Sequence, residues 1–302
     1  MPGATQSSWF LKFGSTALLV LACCWAAPRF FSHIPQFPPT TTDQQQFVIL
    51  DRYLRLPARS VALVGSSLAV RLKEEFFEHE NLRNLALPGG SPLTGLALMV
   101  ADTTRPPPRI VVVEANVFDR SADMNLVSKV SRGNYLSAML RPFRSLAASY
   151  QSARDFSQPK FDAEKRRTIL GAPAAAHNNQ KIIEETLQSW SSPGYDPYIV
   201  ANTDVARTLV ADLEARGARV YFYELPVPPE LEKSHYAAAT RESLRRRFGP
   251  EEDRWLRLEY PAEELRWDDA IHLDERSAVL VSQSLDSAIN KKLDTLPRTG
   301  RP

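Results

Sequence analysis

Short runs of β-branched and apolar residues recur along the chain. Each is followed, after a small turn, by a stretch with helical spacing. Val61–Val64 is the first run; from Ser67 to about His79, Leu68, Leu72 and Phe76 then share one helical face. Leu82–Leu87 is a second run, ended by Pro88-Gly89-Gly90, and a helix over Pro92–Ala101 has its proline in the first turn. Ile110–Val113 is the most strand-like segment. Val205–Arg216 reads as a helix closed by Gly217, and Arg219–Tyr223 as a fourth strand. A helix over Pro229–Phe248, a fifth strand near Leu256–Glu259 and a final helix over Glu275–Leu293 complete the pattern. Strands alternating with helices require right-handed crossovers and a mostly parallel sheet covered on both faces. The predicted fold class is therefore α/β: a three-layer, flavodoxin-like sandwich around a five-stranded sheet.

Composition narrows the function classes. With 302 residues the chain suits one large domain carrying an insertion. The 37 Lys+Arg nearly balance the 35 Asp+Glu, and no basic stripe interleaved with aromatics appears, so no nucleic-acid partner is expected. Both cysteines, Cys23 and Cys24, lie in one apolar segment near the N-terminus and leave the rest of the chain without a thiol, which removes internal disulfides, a Cys nucleophile and Cys-ligated zinc. His177 and His235 lack partners at metal-ligand spacing, so neither metal nor cofactor is expected.

Phe13 to Ala27 is an uncharged stretch between Lys12 and Arg29. A helix of that length rises about 22 Å against a hydrocarbon core of about 30 Å, and Trp9, Phe10 and Leu11 extend it. Three readings stand: a membrane anchor, a cleaved signal peptide, or a lipoprotein signal, the last because Val20-Leu21-Ala22-Cys23 resembles a bacterial lipobox. All three place the main domain outside the cytoplasm, tethered or secreted. The expected layout is an anchor or signal at 1–28, a Pro/Thr/Gln-rich spacer at 29–46, a globular domain at 47–295 with a helical insertion at about 117–204, and a tail at 296–302.

In such sheets ligands bind beyond the carboxyl ends of the strands. Ser67, after the first strand, is either a helix N-cap or an exposed nucleophile beside helix N–H groups. Gly89, after the second, is either a tight turn or a backbone donor. Asn116, after the third, is either a side-chain cap or an amide donor. Near the C-terminus, Asp269 and His272 have the spacing at which a carboxylate orients an imidazole as a proton acceptor.

Together these residues resemble the SGNH/GDSL hydrolase superfamily. Gly65-Ser66-Ser67-Leu68 is similar to its G-D-S-L block, Asn84 to Gly89 to N-x-G-x-x-G, Glu114-Ala115-Asn116 to G-x-N, and Asp269-Ala270-Ile271-His272 to D-x-x-H. The resemblance covers roughly residues 60–290. It implies Ser67 as nucleophile, His272 as base, Asp269 as its orienter, and Ser67, Gly89 and Asn116 as oxyanion donors. It departs from the family at Ser66, Ala86 and Glu114, which stand for Asp, Gly and Gly; Glu114 pointing inward would oppose an oxyanion. The chain also resembles membrane-anchored extracytoplasmic SGNH proteins that accompany membrane-bound O-acyltransferases in polysaccharide acetylation.

The implied function is a serine acyl esterase or O-acyltransferase acting on an ester-modified cell-surface polysaccharide. The rival is a non-catalytic scaffold that binds a membrane acyltransferase. The insertion carries Arg120, Lys129, Arg132, Tyr135, Arg141, Trp190, Tyr195 and Tyr198, which suit either internal packing or glycan binding. Arg245-Arg246-Arg247 reads as a solvated helix face.

Overall fold

A computed structural model describes residues 4–30, 41–78, 81–131, 163–173, 179–250 and 253–296. Four strands, β1 (Val61–Val64), β2 (Leu82–Asn84), β3 (Ile110–Glu114) and β4 (Arg219–Tyr223), form one sheet in the order β2-β1-β3-β4. Every pairing is parallel. Leu85 N–H donates to Leu63 O at 2.7 Å and Leu87 N–H to Gly65 O at 3.0 Å, so the ladder carries the β2 segment on to the rim, as far as the sequence run extends.

Alternation of side chains splits the core into two layers. Ala62, Val64, Val111, Val113, Val220 and Phe222 face one side. There they meet α4 (Pro92–Ala101), α5 (Met124–Ser131), α8 (Asp196–Ala215) and α10 (His235–Phe248). Val61, Leu63, Ile110 and Val112 face the other side, under α3 (Ser67–Val70) and α11 (Glu275–Thr295). The expected α/β sheet with helices on both faces is thus present. Because β1 lies between β2 and β3, the strand order reverses at β1 and β3, and their carboxyl ends form the switch point where sheets of this kind bind ligands.

The fifth strand is a correction. Around 254–256 the chain meets β4 at a single bridge, Phe222 with Trp255, made by Phe222 N–H to Arg254 O and Leu256 N–H to Phe222 O, both 2.8 Å. It then turns away, because Glu259 N–H is taken by Ser284 Oγ of α11 at 2.6 Å. The helix expected from Ser67 to His79 is also shorter. α3 spans four residues, and after it a 3-10 turn covers Glu74–Phe76; His79 lies outside the described residues. Asn84 draws off the helix end, donating from Nδ2 to Ala69 O at 2.9 Å and to Leu72 O at 2.8 Å. The helix expected over Pro229–Phe248 is divided into α9 (Pro229–Glu232) and α10, with Ser234 capping the second part through Ala237 N–H at 3.3 Å.

At the N-terminus α1 runs unbroken over Ala4–Phe30, and α2 (Thr42–Arg55) begins inside the expected spacer, where Gln46 donates to Pro88 O at 2.7 Å. No helix among the described residues is long and apolar enough to cross a membrane. Gln6, Ser7, Ser8 and Lys12 before the apolar run, and Ser15 and Thr16 within it, keep that run short. The spacer's residues 31–40, the tail from 297 and, in the insertion, residues 132–162 and 174–178 lie outside the described residues, with Arg132, Tyr135, Arg141 and His177. The described parts of the insertion are α5, α6 (Ala163–Leu170), α7 (Gln180–Trp190) and the start of α8.

Within β2, the Arg83 side chain is only 4% exposed and pairs with Glu74 at 3.2 Å. Breaking a buried pair leaves a charge without compensation. Glu74→Ala is expected to destabilise the fold by about 3 kcal/mol or more, read as a shifted urea midpoint, whereas Glu74→Gln, which keeps one acceptor, shifts it less.

Candidate active site

Ser66, the extended residue after Gly65, is the N-cap of α3, its Oγ accepting from Leu68 N–H at 3.2 Å. The capping role considered for Ser67 thus belongs to its neighbour, and Ser67, first in the helix, has its hydroxyl free for other work. That hydroxyl lies 2.8 Å from His272 Nε2. His272 Nδ1 lies 2.7 Å from Asp269 Oδ2, while Asp269 Oδ1 accepts the backbone N–H groups of Ile271 at 2.9 Å and His272 at 2.8 Å. Burial alone would raise the Asp269 carboxyl, but the bonds from the His272 ring, its N–H and the Ile271 N–H hold it well below the usual range. An ionised Asp269 fixes the proton on Nδ1 and leaves Nε2 to accept from Ser67.

The loop bearing this pair is tied down from three directions. Asn179, from the insertion, donates through Nδ2 to Trp267 O at 3.0 Å and Asp269 O at 3.2 Å. Asp268 N–H closes on His272 O at 2.9 Å. Arg71, at the end of α3, pairs with Asp268 at 2.8 Å; both are more than a third exposed, so the pair orients more than it stabilises.

The residues expected as oxyanion donors stand less completely assembled. Gly89 has a φ of 71°, a backbone form that glycine adopts without strain, placing it at the β2 end of the rim. Neither its N–H nor that of Ser67 donates to a protein acceptor among the described residues. Asn116 is engaged in a two-point pair: Nδ2 donates to Leu225 O at 2.8 Å and Oδ1 accepts from Leu225 N–H at 2.7 Å. One of its two amide protons is used in this way, and the other remains.

Glu114, at the end of β3, is fully buried. Its carboxylate accepts Ser66 N–H at 2.6 Å, the Ser66 hydroxyl at 2.8 and 3.0 Å, and the Ala69 N–H. It is turned onto the residue before the serine and forms no hydrogen bond with the Ser67 hydroxyl. Burial pushes its pKa up to about 7 against the pull of the Ser66 and Ala69 bonds and of the His272 charge.

No family model matches the chain, and no curated protein matches it. The site therefore stands on its own geometry. Three expected residues, Ser67, His272 and Asp269, form one hydrogen-bonded relay; Gly89 and Asn116 follow β2 and β3, the strands on either side of β1. Sequence reasoning missed Asn179, which has no local signal because its partners are 88 and 90 positions away. It also missed Asn84, whose place in the second block concealed its hold on α3. Among the described residues, no three His, Cys, Asp or Glu side chains gather to hold a metal. His235 instead pairs with Asp196 at 2.9 Å, and the rings of Trp190 and Tyr195 pack on Tyr236 at 4.7 and 5.3 Å. Arg245, Arg246 and Arg247 are all in ion pairs, with Glu224, Glu242 and Asp204.

The raised Glu114 pKa gives a signed stability expectation. A carboxyl whose folded value lies above its unfolded one adds stability that is complete below the unfolded value and lost as pH rises through the folded one. Between about pH 4.5 and 8 the wild type should lose roughly 3 kcal/mol through this group. Glu114→Gln should lack that decline, so from pH 5 to pH 8 the stability difference between the two proteins, read from denaturant melts, should move toward the variant by roughly 3 kcal/mol.

Proposed function

We propose that the protein is a serine acyl esterase or O-acyltransferase of SGNH type. The observation that carries this reading is the unbroken Ser67–His272–Asp269 relay at the carboxyl rim of a parallel sheet. Ser67 Oγ attacks an ester carbonyl carbon while its proton passes to His272 Nε2. The electron pair of the C=O bond moves to oxygen, where the Ser67 and Gly89 N–H groups and the second amide proton of Asn116 receive it. Collapse breaks the bond to the leaving alkoxide, which takes the proton from His272 and leaves an acyl-serine. Water completes hydrolysis, or a sugar hydroxyl completes transfer, by the same proton path in reverse.

Among the departures from the motif pattern, Ser66 and Glu114 favour the scaffold reading, Glu114 because an inward carboxylate would oppose an oxyanion. The Glu114 carboxylate instead bonds Ser66 and Ala69, which favours the enzyme. A polymer ester remains the proposed substrate class, with a membrane-bound O-acyltransferase as proposed partner in an acyl-transfer route. α1 exposes Trp9, Phe10, Leu11, Leu18 and Leu19, which supports its use in export or membrane attachment and an extracytoplasmic site of action. The open face of Tyr198, 60% exposed, supports glycan contact from the insertion.

With an activated acetyl ester, Ser67→Ala is expected to lose at least about 1,000-fold in kcat and all labelling by a fluorophosphonate probe. Full turnover by a folded Ser67→Ala protein ends this reading. Activity should also fall on acidification as the base is protonated; because Asp269 is held ionised, it contributes no part of that fall near neutrality.

A further inference from the structure

Two departures from the motif pattern, Ser66 and Glu114, meet in space. At position 66 the carboxylate of the pattern is missing; at 114 a carboxylate is gained, and it sits 2.6 Å from Ser66 N and 2.8 Å from Ser66 Oγ. Ser66 is 1% exposed and Glu114 fully buried, so each bond is shielded from water. Space around the contact is tight: a Cβ on Gly65 would come within 2.6 Å of Glu114 Oε2 and 2.4 Å of Ala69 Cβ. Every bond Glu114 makes here is one in which it accepts, which suits the ionised form.

We infer that Glu114 is a positioning residue for the nucleophile, its carboxylate clamping Ser66 and Ala69 from behind so that Ser67, held between them, stays in line with His272. The inference rests on the proposed serine mechanism for its consequence in rate, though the clamp itself is a statement about the turn. A buried carboxylate is an unfavourable way to fill a core, and its raised pKa records that cost. The titratable groups facing it are His272 from the loop before α11 and Tyr223 from β4; the residues it bonds, Ser66 and Ala69, are neutral. Protonating Glu114 turns one acceptor oxygen into a donor and loosens the clamp. The acid limb of activity should therefore involve two protons, one on the base and one on Glu114.

The test uses the full chain with Glu114→Gln, Glu114→Gly and the exchange Ser66→Asp/Glu114→Gly. Two readouts are taken: kcat and its pH profile with an activated acetyl ester, and amide hydrogen exchange of the segment spanning residues 60–72. A misplacement of the nucleophile by about 1 Å costs on the order of 100-fold, so Glu114→Gln should lose about 10- to 100-fold in kcat with KM little changed. Its acid limb should drop from two protons to one, and its exchange at 66–69 should speed up by about tenfold or more. The exchange variant should recover at least about tenfold in kcat over Glu114→Gly. Unchanged hydrogen exchange in a folded Glu114→Gln protein overturns the clamp whether or not any ester is turned over. Full activity with an unaltered acid limb in that variant overturns it equally. A wild type inert toward esters, with exchange that still depends on Glu114, removes the esterase reading and supports the clamp.

Discussion

β1 and β3 are neighbours pointing the same way, with Val64 opposite Val113, so the residues that follow them emerge side by side at one rim. That register brings Ser66, with its buried N–H and hydroxyl, against the Glu114 carboxylate. A backbone donor buried there without an acceptor would be costly, and a turn this tight leaves few alternatives. Ser67 inherits its place from this contact. A single carboxylate oxygen, Oε2, takes both the N–H and the hydroxyl of Ser66, and Oε1 lies within reach of the same hydroxyl.

Two carboxyls near the serine are driven in opposite directions by their surroundings. Glu114 sits where burial dominates and is pushed up toward neutrality; Asp269, partly open to solvent and holding three hydrogen bonds, is held low. Each environment suits its place. Asp269 keeps its charge and orients the imidazole, while Glu114 is held in a core that tolerates its charge only at a cost in stability. The insertion contributes Asn179, so the loop carrying His272 is braced by chain that lies far from it in sequence.

The strand cores were legible because Val61–Val64 and Ile110–Glu114 are runs of residues that fit a pleated, buried surface, and the amphipathic spacing of Glu275–Thr295 marked the last helix. The triad was legible for a different reason: an Asp and a His three apart form a local turn that a sequence motif can encode. What escaped the sequence depended on competition for hydrogen bonds. Asn84 cut short a helix that periodicity would have continued, Ser234 divided another, and Ser284 drew Glu259 away from the edge where a fifth strand was expected. In each case a polar side chain, from another segment for Asn84 and Ser284 and from the same segment for Ser234, took a backbone group that local pattern had assigned to regular structure.

Apolar runs alternating with helical spacing pointed, without any tertiary information, to a parallel sheet with helices on both faces, because strands buried on both sides need a helical layer on each. The chain's motifs likewise singled out the alcohol, the imidazole and the carboxylate of the relay. Only the folded chain decided which way Glu114 and Asn116 point, one onto Ser66 and the other onto Leu225. Side-chain direction at a strand end follows from which unpaired donors and acceptors arrive beside it, and those come from segments that sequence spacing does not relate.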